Sequence, residues 1–196
     1  MAPNDTLLDL FRELQILDRV PRSGYVLRGV ADGESVAEHS WHVLFMVWAI
    51  GMKIPGLDLV RALEIALVHD LAELRVGDLP STAGRYFPPG AKAEAERAAM
   101  ADILAPLPAR VRELFAEYQA GESREARLVK ACDKLQLLVK VDVYQAWGAG
   151  GLAEFWGNPA NFPAAGPDGE LAAVREVLEE LLADHPGHAA PEAARG

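Results

Sequence analysis

The chain has 196 residues, of which 51% are hydrophobic and 24% charged, and its formal net charge is −10. This length predicts one domain with a sizeable core, and no apolar run reaches the roughly 18 residues of a membrane span. The acidic charge argues against a nucleic-acid backbone as the partner. The N-terminus lacks the features of a signal peptide, and the single cysteine, Cys132, excludes an internal disulfide. Both observations predict a cytoplasmic protein.

Helical periodicity dominates the chain, and strand signals are weak. A leucine-rich stripe follows Asn4 and Asp5, and either residue is a suitable cap for the first helix. The one candidate for extended backbone is 25–30. Helices are predicted over 7–17, 35–52, 57–75, 91–104, 108–119, 123–147 and 171–182, with irregular loops over 19–33 and 77–90. The sequence therefore predicts an all-α, compact single domain over 1–183, followed by a flexible tail over 184–196.

The pair His69-Asp70 is the only adjacent His-Asp in the chain, and it ends an apolar helical run. Two adjacent ionisable side chains at the end of a core-facing helix need a partner, because burying them bare costs several kcal/mol. A divalent metal ion is the predicted partner. His39 upstream and Asp133 downstream add nitrogen and carboxylate ligands from two other segments, which gives a mixed donor set with room for water.

Each of the outlying residues also has an ordinary structural interpretation. His39 alone is consistent with a core histidine bonded to a carbonyl group. His42 lies one helical turn from His39 and can reach the same ion, but we interpret it as a supporting or structural residue. For Asp133 the alternative is an ion pair with Lys130 or Lys134.

Carboxylates beyond the pair provide candidates for proton transfer. Glu73 lies three residues past Asp70 on nearly the same helix face, where its carboxylate can take a proton from a bound water. Its alternative is a solvated residue paired with Arg75 or Lys92. Asp78 follows a glycine at a turn. It is a candidate for a chemical role, and the alternative is that it only forms the turn.

Three arginines, Arg19, Arg22 and Arg28, lie close together ahead of the His39 segment. In an acidic protein these side chains are reasonable phosphate ligands, because guanidinium binds phosphate oxygens in a fork. The alternative is a solvated basic loop. The sequence contains no glycine-rich dinucleotide loop, no Walker-type loop and no Gly-x-Ser-x-Gly elbow.

Five segments together resemble the HD-domain metal-dependent phosphohydrolases, and more narrowly their 5′-deoxynucleotidase branch. They cover the chain from about residue 7 to residue 147, in family order. The matching segments are LDRVPRSGY (17–25), ESVAEHS (34–40), ALVHDLAE (66–73), VGDLP (76–80) and LVKACDK (128–134). One departure is Val20, which stands where some bacterial members have an aromatic residue and is more similar to the eukaryotic and archaeal branch.

The resemblance implies an all-helical HD-type domain, one bound divalent cation and a homodimer. It assigns the cation to His39, His69, Asp70 and Asp133. The ion itself is left open among Mn²⁺, Co²⁺, Fe²⁺, Ni²⁺, Zn²⁺ and Mg²⁺. Apolar residues near 155–156 or in the last helix are candidates for a dimer surface, with ordinary core as the alternative.

The resemblance also implies the activity and its residues. Deoxyribonucleoside 5′-monophosphates would be hydrolysed to deoxynucleoside and phosphate. Glu73 matches the residue that activates the attacking water, and Asp78 matches one assigned to catalysis or substrate binding. Arg19 matches an arginine that contacts the nucleotide phosphate, and Arg22 is a second candidate for that contact.

Other functions are compatible with some of the same residues. A two-metal HD enzyme needs extra ligands between the pair and the last aspartate, and residues 71–132 contain no histidine. A guanosine-polyphosphate hydrolase or another phosphomonoesterase uses a similar ligand set. The non-enzymatic alternative is a helical ligand-binding module that keeps a metal for folding, which predicts a closed coordination shell.

Overall fold

The computed structural model describes residues 2–84, 86–164 and 171–184, and this part of the chain is almost entirely helical. Its α-helices are α1 Leu7–Leu14, α2 Ser23–Val26, α3 Val36–Gly51, α4 Leu59–Val68, α5 Glu73–Val76, α6 Ser81–Gly84, α7 Ala91–Ile103, α8 Ala109–Ala120, α9 Arg124–Ala146, α10 Ala153–Gly157 and α11 Ala172–Asp184. Two 3-10 helices cover Gln15–Arg19 and Pro159–Asn161. The all-α prediction is confirmed. Of the predicted tail only Asp184 is described, at the end of α11, and 185–196 lie outside the described residues.

Several predicted boundaries were wrong. The segment 25–30 is not extended, because it begins inside α2; the only extended pairing in the described residues is an isolated bridge between Pro21 and Ser35. The helix predicted over 57–75 is two helices, α4 and α5, with a turn between them. The loop predicted over 77–90 contains α6.

The contacts between residues divide the chain into two compact units. The first unit consists of Met1–Trp41 and Leu67–Ala120, and the second consists of His42–Ala66 and the chain from Gly121 onward. Whether the chain behaves as one domain stays a prediction. None of the helices in the described ranges is both long and apolar enough to cross a membrane.

The first unit has an apolar core of aliphatic, methionine and aromatic side chains. It includes Leu10, Tyr25, Leu74, Met100, Ile103, Leu104, Leu114 and Phe115, all buried. The cap of α1 is Thr6, whose hydroxyl oxygen accepts a hydrogen bond from the amide of Asp9 at 3.1 Å. The predicted caps were therefore wrong by one or two residues. Asn4 instead donates its side-chain amide to Glu13, 2.6 Å away.

A buried ionic network fixes α5 within the first unit. Arg75 donates to both carboxylate oxygens of Glu13, at 2.8 and 3.1 Å, and to Asp102 at 3.1 Å. The side chains of Arg75 and Glu13 are 9% and 4% exposed. The Arg75 hydrogen bond holds the pKa of Glu13 below its usual range. The pair therefore stabilises the fold above the unfolded pKa of Glu13, and this stabilisation is lost as the pH falls through its folded pKa.

We expect Arg75→Met to lower the free energy of unfolding by about 3 kcal/mol at neutral pH, because it leaves the Glu13 charge buried without its main partner. Adding Glu13→Leu should recover most of that loss, since no buried charge then remains. Urea unfolding followed by circular dichroism measures both. The matched control is Arg12→Met, which removes an exposed arginine 3.9 Å from Asp9 and should cost less than about 0.5 kcal/mol. Equal losses for both arginine variants would contradict the assignment.

The second unit is organised by α9, which begins at the cap Ser123, as predicted. The Ser123 side chain accepts a hydrogen bond from the amide of Ala126 at 3.1 Å. Gly51 lies against α4, where an added Cβ would meet a Leu59 side-chain atom at 2.7 Å. Residues of the core include Val43, Val47, Ile65, Leu128, Leu135, Leu138 and Val141, all buried. Phe155 and Trp156 are 8% and 4% exposed, so they belong to this core.

Candidate active site

Three ionisable side chains of the first unit converge on one point. The Nε2 atom of His39 lies 3.4 Å from Oδ2 of Asp70, and the Nε2 atom of His69 lies 3.3 Å from the same oxygen. One ligand atom from each residue falls within 4.8 Å of the others. Both imidazoles are buried and the Asp70 side chain is 15% exposed. The structure therefore brings together three of the four predicted metal ligands.

A capping box places His39 in the first turns of α3. The Ser35 hydroxyl oxygen accepts from the amide of Glu38 at 3.2 Å, and the Glu38 carboxylate accepts from the Ser35 amide at 2.7 Å. This reciprocal pair satisfies donors that the start of a helix leaves open. On the other side of the ring, His39 Nδ1 lies 3.8 Å from Oε1 of Glu34, which is itself buried.

The His69-Asp70 pair lies in a turn. Helix α4 ends at Val68, and the turn is held by short-range bonds such as Glu73 amide to Asp70 carbonyl at 3.0 Å. The prediction that both side chains share one helix, about 100° apart, was wrong. The turn matters chemically, because it lets neighbouring residues direct a nitrogen and an oxygen to the same point.

The donor set suits a divalent cation. Two imidazole nitrogens and one carboxylate oxygen form a mixed set that first-row divalent metals accept. Oδ2 of Asp70 is buried and accepts no hydrogen bond of normal geometry within the described residues. Burial alone would raise the pKa of Asp70, but attraction to His69, His39 and Arg22 outweighs it and holds the pKa well below its usual range. The carboxylate is thus kept in the charged form that a metal ion requires.

Glu73 begins α5 and is buried, with 7% of its surface exposed. Its Oε2 atom accepts no hydrogen bond in the described part of the chain. Burial, followed by the charges of Asp70 and Asp78, raises the pKa of Glu73 to about 10. The alternative was a solvated residue paired with Arg75 or Lys92. The solvated position is wrong because Glu73 is buried, and Arg75 binds Glu13 instead.

We expect the buried Glu73 to make metal-stripped protein less stable as the pH rises. Its folded pKa lies above the unfolded value of about 4.3, so the folded state keeps a proton that the unfolded state has lost, and the free energy of unfolding falls between about pH 5 and 10. The reference protein is Glu73→Gln, which cannot titrate at this residue. It retains the neighbouring charged groups Asp70, Asp78, Arg22 and Lys92.

The measurement is urea unfolding of both metal-stripped proteins across that range. The free energy of unfolding of the parent should fall relative to that of Glu73→Gln as the pH rises. Parallel curves for the two proteins would show that Glu73 titrates normally.

Arg22 is the predicted arginine that the structure brings to the site. Its Nη1 atom lies 3.6 Å from Oδ2 of Asp70 and 3.7 Å from Oδ1 of Asp78. The Arg22 amide donates to the Glu34 carbonyl at 3.0 Å, beside the Pro21–Ser35 bridge. This bridge ties the arginine segment to the start of α3.

The other two arginines have different surroundings. Arg19 is exposed at the end of the 3-10 helix Gln15–Arg19, so its phosphate contact stays a prediction. Arg28 donates to the Gly24 carbonyl at 3.2 Å and so holds its own loop.

Asp78 is engaged by the segment that carries Arg22. Oδ2 of Asp78 accepts hydrogen bonds from the amide of Ser23 at 2.6 Å and from its hydroxyl at 3.0 Å. Gly77, at φ +72°, turns the chain from α5 into this position. Non-glycine residues are strained at that backbone angle, so the turn-forming function belongs to Gly77.

Sequence reasoning gave no role to three residues near the site. Glu34 approaches the far nitrogen of His39, Ser23 donates to Asp78, and the Tyr118 ring meets His69 edge-on at 5.6 Å between centroids. Glu34 and Ser23 stand in the motifs quoted above, which is the one signal that pointed to them. Tyr118 lies on α8, whose sequence carries no such signal.

Two further candidates belong to the second unit. Asp133 lies on α9 with its Oδ2 atom 3.9 Å from Nζ of Lys134, so the predicted ion-pair alternative is present. Its role as a fourth metal ligand stays a prediction, as does the supporting role of His42. Cys132 is buried, and burial raises the pKa of its thiol, as expected for a small core residue.

Comparison with known proteins gives consistent matches across most of the chain. The HD domain family model matches residues 14–155. The human protein named 5′-deoxynucleotidase HDDC2 is 35% identical over 144 residues, which cover 71% of this chain and 69% of that protein. The fission yeast Schizosaccharomyces pombe has a protein named 5′-deoxynucleotidase hdd1, which is 31% identical to this chain. That match covers 67% of this chain and 69% of the yeast protein.

A solved structure of a conserved hypothetical protein from Pyrococcus furiosus is also similar. Its TM-score is 0.77 at 35% identity, and the match covers 89% of this chain and 98% of that one.

Proposed function

We propose that this chain, which belongs to the HD domain family, is a metal-dependent 5′-deoxynucleotidase. The observation that carries the proposal is the convergence of His39 and His69 on Oδ2 of Asp70, with buried Glu73 and the largely buried Arg22 side chain beside it. The human and fission yeast relatives named as 5′-deoxynucleotidases support the substrate class. In the proposed reaction water attacks phosphorus, the bond from phosphorus to the 5′ oxygen breaks, and deoxynucleoside and phosphate leave.

The proposed metal ligands are His39, His69 and Asp70, with Asp133 as the fourth. A divalent cation held by these residues would supply Lewis acidity, which would offset phosphate charge and make water more acidic. The native ion is one of Mn²⁺, Co²⁺, Fe²⁺, Ni²⁺, Zn²⁺ and Mg²⁺, since the donor set accepts each of them.

Glu73 is the proposed proton acceptor. Its carboxylate is buried, and the charges that raise its pKa come from the adjacent Asp70 and Asp78. Added positive charge beside Asp70 would favour the ionised form of Glu73, so the carboxylate can take a proton as water attacks. The leaving 5′ oxygen takes up a proton as the bond breaks.

Arg22 is the proposed phosphate ligand. Its side chain is 12% exposed and lies within 4 Å of two carboxylates, which places a guanidinium at the edge of the candidate metal site. A guanidinium there can hold phosphate oxygens while charge moves toward the leaving group. Arg19 is the second proposed phosphate contact.

The test is phosphate release from deoxy- and ribonucleoside 5′-monophosphates by metal-stripped protein, with each divalent ion added back. We expect release from the deoxy forms with at least one ion. Equal release from ribonucleotides would refute deoxynucleotide selectivity. Release from guanosine polyphosphates alone would favour that alternative, and no release with metal bound would favour a metal-stabilised binding module.

We also propose a homodimer, supported by exposed apolar side chains on α3 and at the residue that follows it. Phe45, Trp48 and Met52 recur at helical spacing and are 52%, 43% and 58% exposed. The rings of Phe45 and Trp48 lie 5.5 Å apart. Large apolar side chains grouped on a helix surface are typical of an interface with another protein.

A charge placed on this surface is expected to dissociate the dimer. Trp48→Glu should elute with the mass of one chain in size-exclusion chromatography with light scattering, while the parent elutes with the mass of two. The control is Leu27→Glu, which places the same charge at an exposed apolar residue in a loop. An equal mass for parent and Trp48→Glu would refute this surface. The cytoplasmic location and the lack of a nucleic-acid partner stay predictions.

A further inference from the structure

We propose that Asp78 is a positioning residue that holds Arg22 for phosphate binding. This inference rests on the proposed function, because it explains how the proposed phosphate ligand is held. The two oxygens of Asp78 contact the same short segment: Oδ2 accepts from the amide and hydroxyl of Ser23, and Oδ1 lies 3.7 Å from the Arg22 guanidinium.

The backbone shows why a carboxylate at this place orients the arginine. Arg22 is extended, at φ −69° and ψ 98°, and Ser23 is the first residue of α2. The amides in the first turn of a helix have no hydrogen-bond partner within the helix. The Ser23 amide is one of these, and Asp78 accepts its hydrogen bond. Binding it fixes the segment next to Arg22, while the second oxygen fixes the side chain through charge.

The same contacts argue against a role as the acid that protonates the leaving oxygen. A group that gives up a proton there needs an oxygen directed at the substrate. Oδ2 of Asp78 instead accepts two hydrogen bonds, and Oδ1 faces Arg22. Within the described residues Asp78 is therefore bound as a hydrogen-bond acceptor.

A second consequence concerns Asp70. The Arg22 guanidinium lies between Asp78 and Asp70, at 3.7 and 3.6 Å. Asp78 therefore shares the Arg22 guanidinium with the proposed metal ligand.

The test uses binding of inorganic phosphate to metal-loaded protein, measured by calorimetry, so that turnover is not needed. Arg22→Gln and Asp78→Asn should each weaken phosphate binding by about tenfold or more, because each removes or misplaces a charge-assisted contact. The double variant should bind no more weakly than Arg22→Gln, because Asp78 acts through Arg22. Asp32→Asn, an exposed carboxylate in the same loop, should bind as the parent does.

Ser23→Pro carries the test even if Asp78→Asn does not fold. Proline suits the first residue of a helix and an extended residue before it, so the substitution deletes both donors to Asp78 and leaves Asp78 in place. We expect weaker phosphate binding, with an unchanged pH profile of kcat and circular dichroism spectrum.

The outcomes separate the two proposals. A parent that binds metal but no phosphate would overturn the proposed phosphate site itself. A parent that binds phosphate, with Asp78→Asn and Ser23→Pro binding equally well, would overturn the positioning role. Loss of one limb of the pH profile in Asp78→Asn with phosphate affinity retained would instead identify Asp78 as a proton donor.

Discussion

Replacing Glu73 with Gln is expected to lower kcat for phosphate release by about 10²- to 10⁴-fold, the usual contribution of a positioned proton acceptor. Glutamine keeps the size of the side chain but takes up no proton. The buried position of Glu73 leaves little room for solvent to substitute. Bound metal, measured by elemental analysis, should equal that of the parent, because none of the proposed metal ligands is changed.

The matched control for this variant is Glu94→Gln, which removes an exposed carboxylate from α7 in the same unit. It should leave kcat within about twofold of the parent, as expected for a substitution at an exposed surface residue. If Glu73→Gln retains parental kcat, Glu73 is not the proton acceptor. If it loses metal in proportion to activity, its role is to hold the metal site.

Asp70→Asn should weaken the binding of divalent metal by about 100-fold or more. Substituting a residue that only hydrogen-bonds to a metal ligand typically costs about 10- to 100-fold, and losing a ligand should cost at least as much. Asparagine keeps the shape of aspartate but loses the charge on which both histidine Nε2 atoms converge. Calorimetric titration of metal-stripped protein with Mn²⁺ or Co²⁺ gives the affinity without depending on turnover. Activity at saturating metal is the second readout.

Two controls separate ligand loss from general damage. Asp32→Asn removes one negative charge from an exposed loop residue and should bind metal as the parent does. Circular dichroism of Asp70→Asn should match the parent, because asparagine fills the same volume and Arg22 still has Asp78 within 3.7 Å. Parental metal affinity in Asp70→Asn would contradict its assignment as a ligand.

The position of His39 was predictable from local sequence. Ser35 followed three residues later by Glu38 is a recognised helix start, and both contacts of that box are present. The apolar run behind it predicted the body of α3. Local capping and periodicity are therefore sufficient to place this proposed ligand near the start of its helix.

The break at His69 and Asp70 could not be read from the sequence. Residues 66–73 contain no glycine or proline, and the apolar spacing continues through Leu71 and Ala72. The turn is specified instead by tertiary contacts, since it directs the two side chains to one point beside His39. Such contacts override local helix preference.

The choice among the arginines also depended on information that is not local. Arg19, Arg22 and Arg28 have the same chemistry and similar spacing, so composition could not rank them. The pairing of Pro21 with Ser35 is what brings Arg22 beside Asp70. The sequence also carried no signal for the edge-on contact of Tyr118 with His69.

The pairing of Pro21 with Ser35 has a consequence for how this family can diversify. The loop between these residues is closed at its base by hydrogen bonds from Arg22 to Glu34 and from Val36 to Val20, at 3.0 and 2.9 Å. Its far end turns at Gly29, with φ +79° and no atom near an added Cβ. Extra residues there cost little additional closure entropy. We therefore expect insertions at Gly29 to be tolerated, so that descendants of this chain can remodel what the loop recognises while the catalytic framework is inherited unchanged.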